Sequence, residues 1–311
     1  GELQSQSSEY LNAEIQNTIA LVMTSYYDVI RQQSYINTIN KSIEASQQRL
    51  DILEVRKEAG MANNSDLFQA QIDVNTLQQN LMNQNLVVGV AKTELLKVLT
   101  LNPQTPLAIR DTILIDNQIH LDEILSRVSA HPDVKSADHQ IRINELIVKE
   151  TAALRYPTIR LNTAYNYGRN QTAAGFTLLN QTSGPNASLS VAIPIYNGNA
   201  YKRQQQAAQI NTTNAVLQKD LIVRDYQANI TKMYQTYKVS LLQLEAQKKN
   251  YTLSQQLLNL TMQRFQLIQA TIIDVREAQR SFEEAGYRLI NLNYAAKSAE
   301  IELKRMASSL Q

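Results

Sequence analysis

From Tyr10 to Ala59 the apolar residues Ile15, Ile19, Leu21, Val22, Tyr26, Val29, Ile30, Ile36, Ile39, Ile43, Leu50 and Leu53 fall at helical spacing. That periodicity predicts one helix of roughly 50 residues or more, longer at about 1.5 Å per residue than an ordinary globular domain is wide. Gly60 supplies the left-handed position that commonly ends a helix, and Asn63, Asn64, Ser65 and Asp66 offer side-chain oxygens to start the next. Asp66 followed by Gln69 resembles a capping box. A second helix is expected from Leu67 to Thr100, stopping before Asn102-Pro103. The stretch EAGMANNSDLFQAQ, residues 58–71, is therefore read as the turn of a long helical hairpin.

The second half repeats the pattern. Asn199 to Ala285 contains no Gly or Pro, and Val223, Tyr226, Ile230, Met233, Tyr237, Leu241 and Leu244 follow heptad-like spacing. An ungapped shift of 208 residues pairs Arg56 with Arg264, Ala62 with Ala270, Asp66 with Asp274, Ala70 with Ala278 and Gln71 with Gln279. The chain reads as an internal duplication of a helical hairpin, with apolar stripes to be completed by other protomers.

Between the hairpins the texture changes. Residues 104–120 read as a short extended insert of β-rich composition, followed by two helices, Leu121 to Ala130 and His131 to Leu154, separated at Pro132. After Pro157, Ile159, Leu161, Thr163, Tyr165 and Tyr167 alternate with Arg160, Asn162, Ala164 and Asn166. A polar, Gly-containing loop follows. From Ala187 to Ile195, Leu189, Val191, Ile193 and Ile195 then alternate with Ser188, Ser190 and Ala192. Two strands of about ten residues, each with one apolar face, fit a membrane β-barrel hairpin or an amphipathic hairpin packed on helices. A lone hairpin would leave its edges unsatisfied in hydrocarbon, so a barrel needs strands from other copies. Shifting residues 157–195 back by 208 falls before residue 1, and an upstream strand pair is expected in the natural protein.

Composition narrows the function. With 43% hydrophobic and 19% charged residues, 8 Gly and 6 Pro, few and long elements are expected. A net charge of +2 without clustered Lys and Arg argues against a nucleic-acid partner. The absence of Cys fits an envelope compartment, no apolar run reaches the length of a transmembrane helix, and no signal peptide is seen. The initial Gly suggests a processed or truncated chain. His120, His131 and His139 lack metal-ligand spacing and read as surface or capping residues. No Ser/His/Asp set, phosphate loop or paired metal ligands are present, so neither an enzyme nor a cofactor is expected.

The segment SVAIPIYNGNAYKRQQQAAQI, residues 190–210, runs a strand into a very long helix. Together with Tyr156-Pro157, the stretch TIIDVREA from Thr271 to Ala278 and its partner at Ser65-Asp66, it resembles the TolC-like outer membrane efflux proteins. The resemblance implies a mainly α fold with a small β part: duplicated antiparallel helical hairpins of an α-barrel type plus a membrane barrel hairpin. It divides the chain into a first hairpin (1–102), a middle, equatorial-like segment (103–156), a barrel hairpin (157–196) and a second hairpin (197–311). It further implies a homotrimeric outer membrane duct of a Gram-negative bacterium, its helices in the periplasm. The partners implied are a periplasmic adaptor, an inner-membrane transporter and outer membrane lipid.

On this resemblance the gate at the periplasmic tip comprises Asp66, Asp274, Glu277 and Phe265. The turns Ala59, Gly60, Met61 and Ile268 would dock the adaptor, and Ile159, Leu161, Tyr165, Leu189, Val191 and Ile193 would face lipid. The sequence departs from the family where Phe265 replaces a Tyr, Ala270 an Arg and Ile268 a frequent Gly. Two readings stand against these: Asp66 and Asp274 as helix caps only, and a soluble long-helical scaffold or interaction protein as the function.

Overall fold

A computed structural model describes residues 1–171 and 179–310. Among the described residues the fold is mainly helical with one two-stranded antiparallel sheet. The order is α1 (Glu2–Glu58), α2 (Asn64–Val98), α3 (Leu121–Ser126), a 3-10 turn (Val128–Ala130), α4 (Pro132–Ala153), β1 (Thr158–Gln171), β2 (Leu179–Ala192), α5 (Ala200–Gln266) and α6 (Ile272–Met306). The ends obey the duplication: Glu58 and Gln266, Asn64 and Ile272, and Val98 and Met306 are each 208 apart. The chain divides into two compact units, one of Glu9–Val134 and Ile222–Gln311, the other of Gly1–Ser8 and Lys135–Leu221.

In the first unit α1 with α2 and α5 with α6 form the two hairpins. Their apolar stripes meet in successive clusters. One gathers Leu50, Leu53, Leu67, Val74, Leu258, Phe265, Val275 and Phe282 from all four helices. Another joins Ile124 and Val128 to Ile230, Tyr237 and Leu303. Tyrosines serve this packing: Tyr237 is buried and Tyr251 lies against Phe282. Gly286 shows how close the helices come, since a Cβ there would stand 2.9 Å from Thr38 Cγ2.

Segment 104–120, expected to be extended, begins in a turn and a bend at Gln104 and Thr105, continues without regular secondary structure, and pairs with no strand among the described residues. Its apolar residues are used singly, Ile109 beside Ile30 and Leu95, and Ile115 and Ile119 beside the second cluster. Its backbone is tied by side chains. Asp116 N–H donates to Glu300 Oε2 (2.9 Å), and Tyr237 O–H donates to the Asp116 carbonyl. The helix expected from Leu121 to Ala130 stops at Ser126 and tightens into the 3-10 turn. The Pro132 ring denies an α-helical continuation past Val128, and His131 takes extended backbone (φ −62, ψ 137). His131 is buried rather than on the surface: it stacks on Tyr226, and its Nδ1 accepts from Asp133 N–H (3.2 Å) at the start of α4. Burial pushes its pKa below the ordinary value.

The second unit contains the sheet. Its register sets Ile159 opposite Val191, Leu161 opposite Leu189 and Tyr165 opposite Pro185. Two corrections follow. Both strands are 14 residues long rather than about ten, because the ladder runs into the expected loop and β2 already includes Gly184 and Pro185. A two-stranded sheet consists of edges, where a Pro is tolerated. At its other end β2 stops at Ala192, so Ile193 and Ile195 lie beyond it, ahead of and after Pro194, which has no N–H to continue a ladder. The remainder of the expected polar loop, 172–178, lies outside the described residues. Elsewhere in this unit α4 and α5 are joined by Lys219 to Asp138 (2.7 Å), and Asn144 donates to the Asn211 carbonyl.

Candidate functional site at the hairpin tips

Both interhelical turns stand over the same four-helix cluster, because Leu53 and Leu67 flank the first, Phe265 and Val275 flank the second, and all four share it. Each turn closes with the same pair of hydrogen bonds. At the first, Gly60 N–H donates to Lys57 O (2.9 Å) and Met61 N–H to Arg56 O (2.7 Å). At the second, Ile268 N–H donates to Phe265 O (3.1 Å) and Gln269 N–H to Arg264 O (2.8 Å). This is the Schellman arrangement, which requires a left-handed residue after the helix. Gly60 (φ 71) and Ile268 (φ 63) are those residues and occupy equivalent positions of the repeat.

The N-cap residues of the helices that follow are Asn63 and Thr271, and of the two aspartates only Asp274 takes part in the capping through its side chain. Asn63 Oδ1 accepts from Asp66 N–H (2.7 Å), so Asn63 is the cap of α2 and Asp66 sits three residues on. The expected Asp66–Gln69 box does not form, and Gln69 instead donates to Asp73 Oδ1 (2.9 Å). At α6 the box is complete. Thr271 Oγ1 accepts from Asp274 N–H (3.2 Å), while Asp274 Oδ2 accepts from Thr271 N–H (2.7 Å) and Oγ1 (2.8 Å). The Thr271 backbone N–H, then its hydroxyl, hold the Asp274 carboxyl below the usual carboxylate range, with Arg264 adding a smaller pull.

The four gate candidates therefore differ in setting. Asp274 and Glu277 are exposed and Asp66 is half-buried. Glu277 is paired with Arg280 (2.9 Å). Phe265, only 2% exposed, is a core residue: the Arg56 guanidinium lies over its ring at 4.3 Å and donates to its carbonyl. Ala270 and Ala62 pack at the edge of the same cluster. The docking candidates are all at the surface. Ala59 and Gly60 are exposed, and Met61 and Ile268 form an apolar tip with Leu267 and Ile273. Alongside, α1 and α5, with Phe282 of α6, line an open groove of about 600 Å³ in which Lys41, Glu44 and Asp51 join the amides Gln48, Gln255, Asn259 and Gln263 around Leu258 and Met262. In the sheet, Ile159, Leu161, Tyr165, Leu189 and Val191 are exposed, as is Ile193 beyond it.

Behind the tips the structure assembles polar groups that were not singled out from the sequence. Arg49, 1% exposed, donates to Asp73 Oδ2 (2.6 Å), which also receives Arg276 Nε at 3.3 Å. Gln279 donates to Ser46 Oγ (2.8 Å) and to the Ser42 carbonyl (3.3 Å). The repeat gave no signal for the first group, since the equivalents of Arg49 and Asp73 are Leu257 and Ser281. Among the described residues no group of three or more His, Asp or Glu is placed to hold a metal.

Comparison with known proteins relates this geometry to a family. Residues 126–309 match the family described as outer membrane efflux protein. Toxin and drug export protein A of Aggregatibacter actinomycetemcomitans is 25% identical over 240 residues, covering 75% of this chain and 50% of that protein. Outer membrane protein TolC of Vibrio cholerae is 20% identical over 313 residues, covering 98% of this chain and 70% of its own length. The chain spans about half the length of several such relatives. Among solved structures, the outer-membrane channel OprN superposes with a TM-score of 0.82 at 14% identity, over 99% of this chain and 69% of that one. VceC of Vibrio cholerae gives 0.76 at 16% identity, over 98% and 74%. With more than half of its length matched by the family and its fold shared with these channels, the chain belongs to the outer membrane efflux protein family.

Proposed function

We propose that this chain is part of an outer membrane duct, serving a tripartite efflux or type I secretion system, through which substrates from an inner-membrane transporter leave the cell. The observation that carries the reading is the pairing of two equivalent hairpin turns over one core, in a chain of the outer membrane efflux family. In this reading residues 1–102 and 197–311 supply tunnel hairpins, 103–156 an equatorial segment and 157–196 a barrel hairpin. Three protomers close the barrel and the tunnel. The exposed faces of β1 and β2 support this, because Ile159, Leu161, Leu189 and Val191 form an apolar row that a barrel would turn toward lipid.

The tip is the periplasmic gate and the adaptor dock. Met61, Ile268 and their neighbours present apolar surface, and the groove beside them, lined by amides together with Lys41, Glu44 and Asp51, suits a helical partner with polar side chains. Asp66, Asp274 and Glu277, tripled by symmetry, would raise the local cation concentration at the mouth. Arg276 and Arg280 stand close by, so the ring is weaker than a bare set of acids. Phe265 acts from the core by holding Arg56, and with it the end of α1.

Single-channel conductance of the complete protein in a planar bilayer tests the reading. Small, cation-preferring steps are expected, with the preference reduced in Asp274→Ala. An inserted trimer that stays silent even when both tip aspartates are replaced by Ala overturns the duct, and unchanged selectivity in Asp274→Ala overturns the acidic mouth.

A further inference from the structure

Between Glu150 and Asp220 the chain has no Asp or Glu but six basic residues, Arg155, Arg160, Arg169, Lys202, Arg203 and Lys219, while its other 24 Lys and Arg are outnumbered by 28 Asp and Glu. This stretch contains both strands and both places where the sheet joins the helices. Arg160 belongs to the polar row of β1, Arg169 stands near the far end of that strand, and Lys219 pairs with Asp138 (2.7 Å). The other three gather at the joints. Arg155, between α4 and β1, donates to Gln205 Oε1 (2.7 Å), and Lys202 is three residues before Gln205 in the first turn of α5, so both cations stand beside one face of that helix. Arg203 follows directly. All three are exposed, and among the described residues none is in an ion pair; the paired carboxylates of this unit, Glu2 and Asp138, are used beside the first half of α4. Like charges brought together without a counter-charge repel, so an anion from outside the chain complements them.

The surroundings name that anion. Tyr156 and Tyr196, 69% and 87% exposed, flank the same joints, and Tyr201 is half-buried beside Lys202. Directly beyond them begins the exposed apolar row of Ile159, Leu161, Leu189 and Val191. Cations, then aromatic rings, then hydrocarbon is the order of a headgroup boundary, and a soluble anion would need neither of the last two. We infer that Arg155, Lys202 and Arg203 form a basic collar that binds the phosphates of anionic phospholipids in the leaflet next to the helices. This rests on the barrel reading of residues 157–196 and adds the lipid class to it. Headgroups with a net negative charge are held in preference to zwitterionic ones, and the collar fixes the depth at which the barrel sits.

The complete protein, inserted in phosphatidylcholine vesicles with a minor fraction of phosphatidylglycerol, provides the test. Spin-labelled forms of the two lipids report which is immobilised against the protein. Phosphatidylglycerol should be enriched about twofold or more in that shell at low salt, and less at high salt. Lys202→Gln combined with Arg203→Gln changes two exposed positions outside any ion pair, so the protein should still fold and insert, but with the two lipids near parity. Lys202→Arg should keep the enrichment. Equal enrichment in the double variant, or none in the inserted unaltered protein, overturns the collar. Absence of any immobilised lipid overturns the barrel reading instead.

Discussion

The two hairpin turns share their hydrogen-bond pattern and the core cluster beneath them, but they achieve the pattern with different residues. The first takes its left-handed step at Gly60 and caps the next helix with an amide, Asn63. The second takes the same step at Ile268, a β-branched residue, and caps with the reciprocal Thr271–Asp274 pair. Left-handed backbone is nearly free for Gly and costs roughly 1–2 kcal/mol for a residue with a Cβ. The full capping box offsets part of that cost, since an N-cap contributes about 1 kcal/mol. A duplicated fold thus keeps its hydrogen-bond pattern while its two copies diverge in how tightly each turn is set, and the divergence can be read by substitution.

The largest difference lies one step inside the turns. Phe265 fills the cluster common to both hairpins and carries Arg56 on its face, whereas its repeat equivalent, Lys57, is exposed. Phe265→Ala should cost about 3–5 kcal/mol, as large-to-small changes in a core do. Lys57→Ala should stay within about 0.5 kcal/mol. Urea unfolding of the two variants checks this, and equal losses would mean that the tips do not share a core.

Next in size is the forced exchange of the left-handed residue. Gly60→Ile gives the first turn the second turn's residue without its capping box, and should cost about 1–2 kcal/mol. No neighbour lies within 4 Å of a Cβ built at Gly60, so the loss is one of backbone conformation and not of crowding. If crowding were the cause, Gly60→Ala would cost clearly less than Gly60→Ile. Similar losses for the two, by thermal unfolding, support the backbone origin.

These contrasts bear on what the chain disclosed before its structure was described. Helix lengths, turn positions and the 208-residue offset were legible because helical periodicity, Gly60 and the Asn-rich turn are local signals. The cap of α2 is one of the four residues offered, Asn63, but the Asp66–Gln69 box lies three residues too late, since Asn63, Asn64, Ser65 and Asp66 are all competent and only backbone geometry selects one. β2 was cut short because Gly184 and Pro185 resemble a turn, while an edge strand accepts them. The Arg49–Asp73–Arg276 group was invisible for a different reason. It depends on where three helices meet, and neither Arg49 nor Asp73 has a counterpart in the other repeat. Ile268 was visible only through the family resemblance, as a residue standing where a Gly is frequent.

A smaller effect separates the caps by pH. Asp274 has its folded pKa lowered, so its contribution is present above the ordinary carboxylate range and is lost as pH falls through the folded value. The amide of Asn63 has no such dependence. Amide exchange, corrected for its intrinsic rate, should therefore show protection at residues 275–278 falling below about pH 4 ahead of protection at residues 67–70. Asp274→Asn should remove the difference. Parallel loss at both tips would place the acid response in the shared core.

The smallest expected effect comes from relieving the second turn. Ile268→Gly removes a left-handed β-branched residue but also loosens the unfolded chain, and the two terms oppose each other. Because Ile268 is 65% exposed, little burial is lost. The conformational relief of roughly 1–2 kcal/mol should exceed the entropic penalty of roughly 0.5–1 kcal/mol, giving a net gain of several tenths of a kcal/mol and a slightly raised Tm. In Thr271→Ala, which lacks the box, the same substitution should have a larger effect if cap and turn compensate each other within one tip. A double-mutant cycle on the two positions measures that coupling, and strict additivity would show that the strained turn and the strong cap were acquired independently.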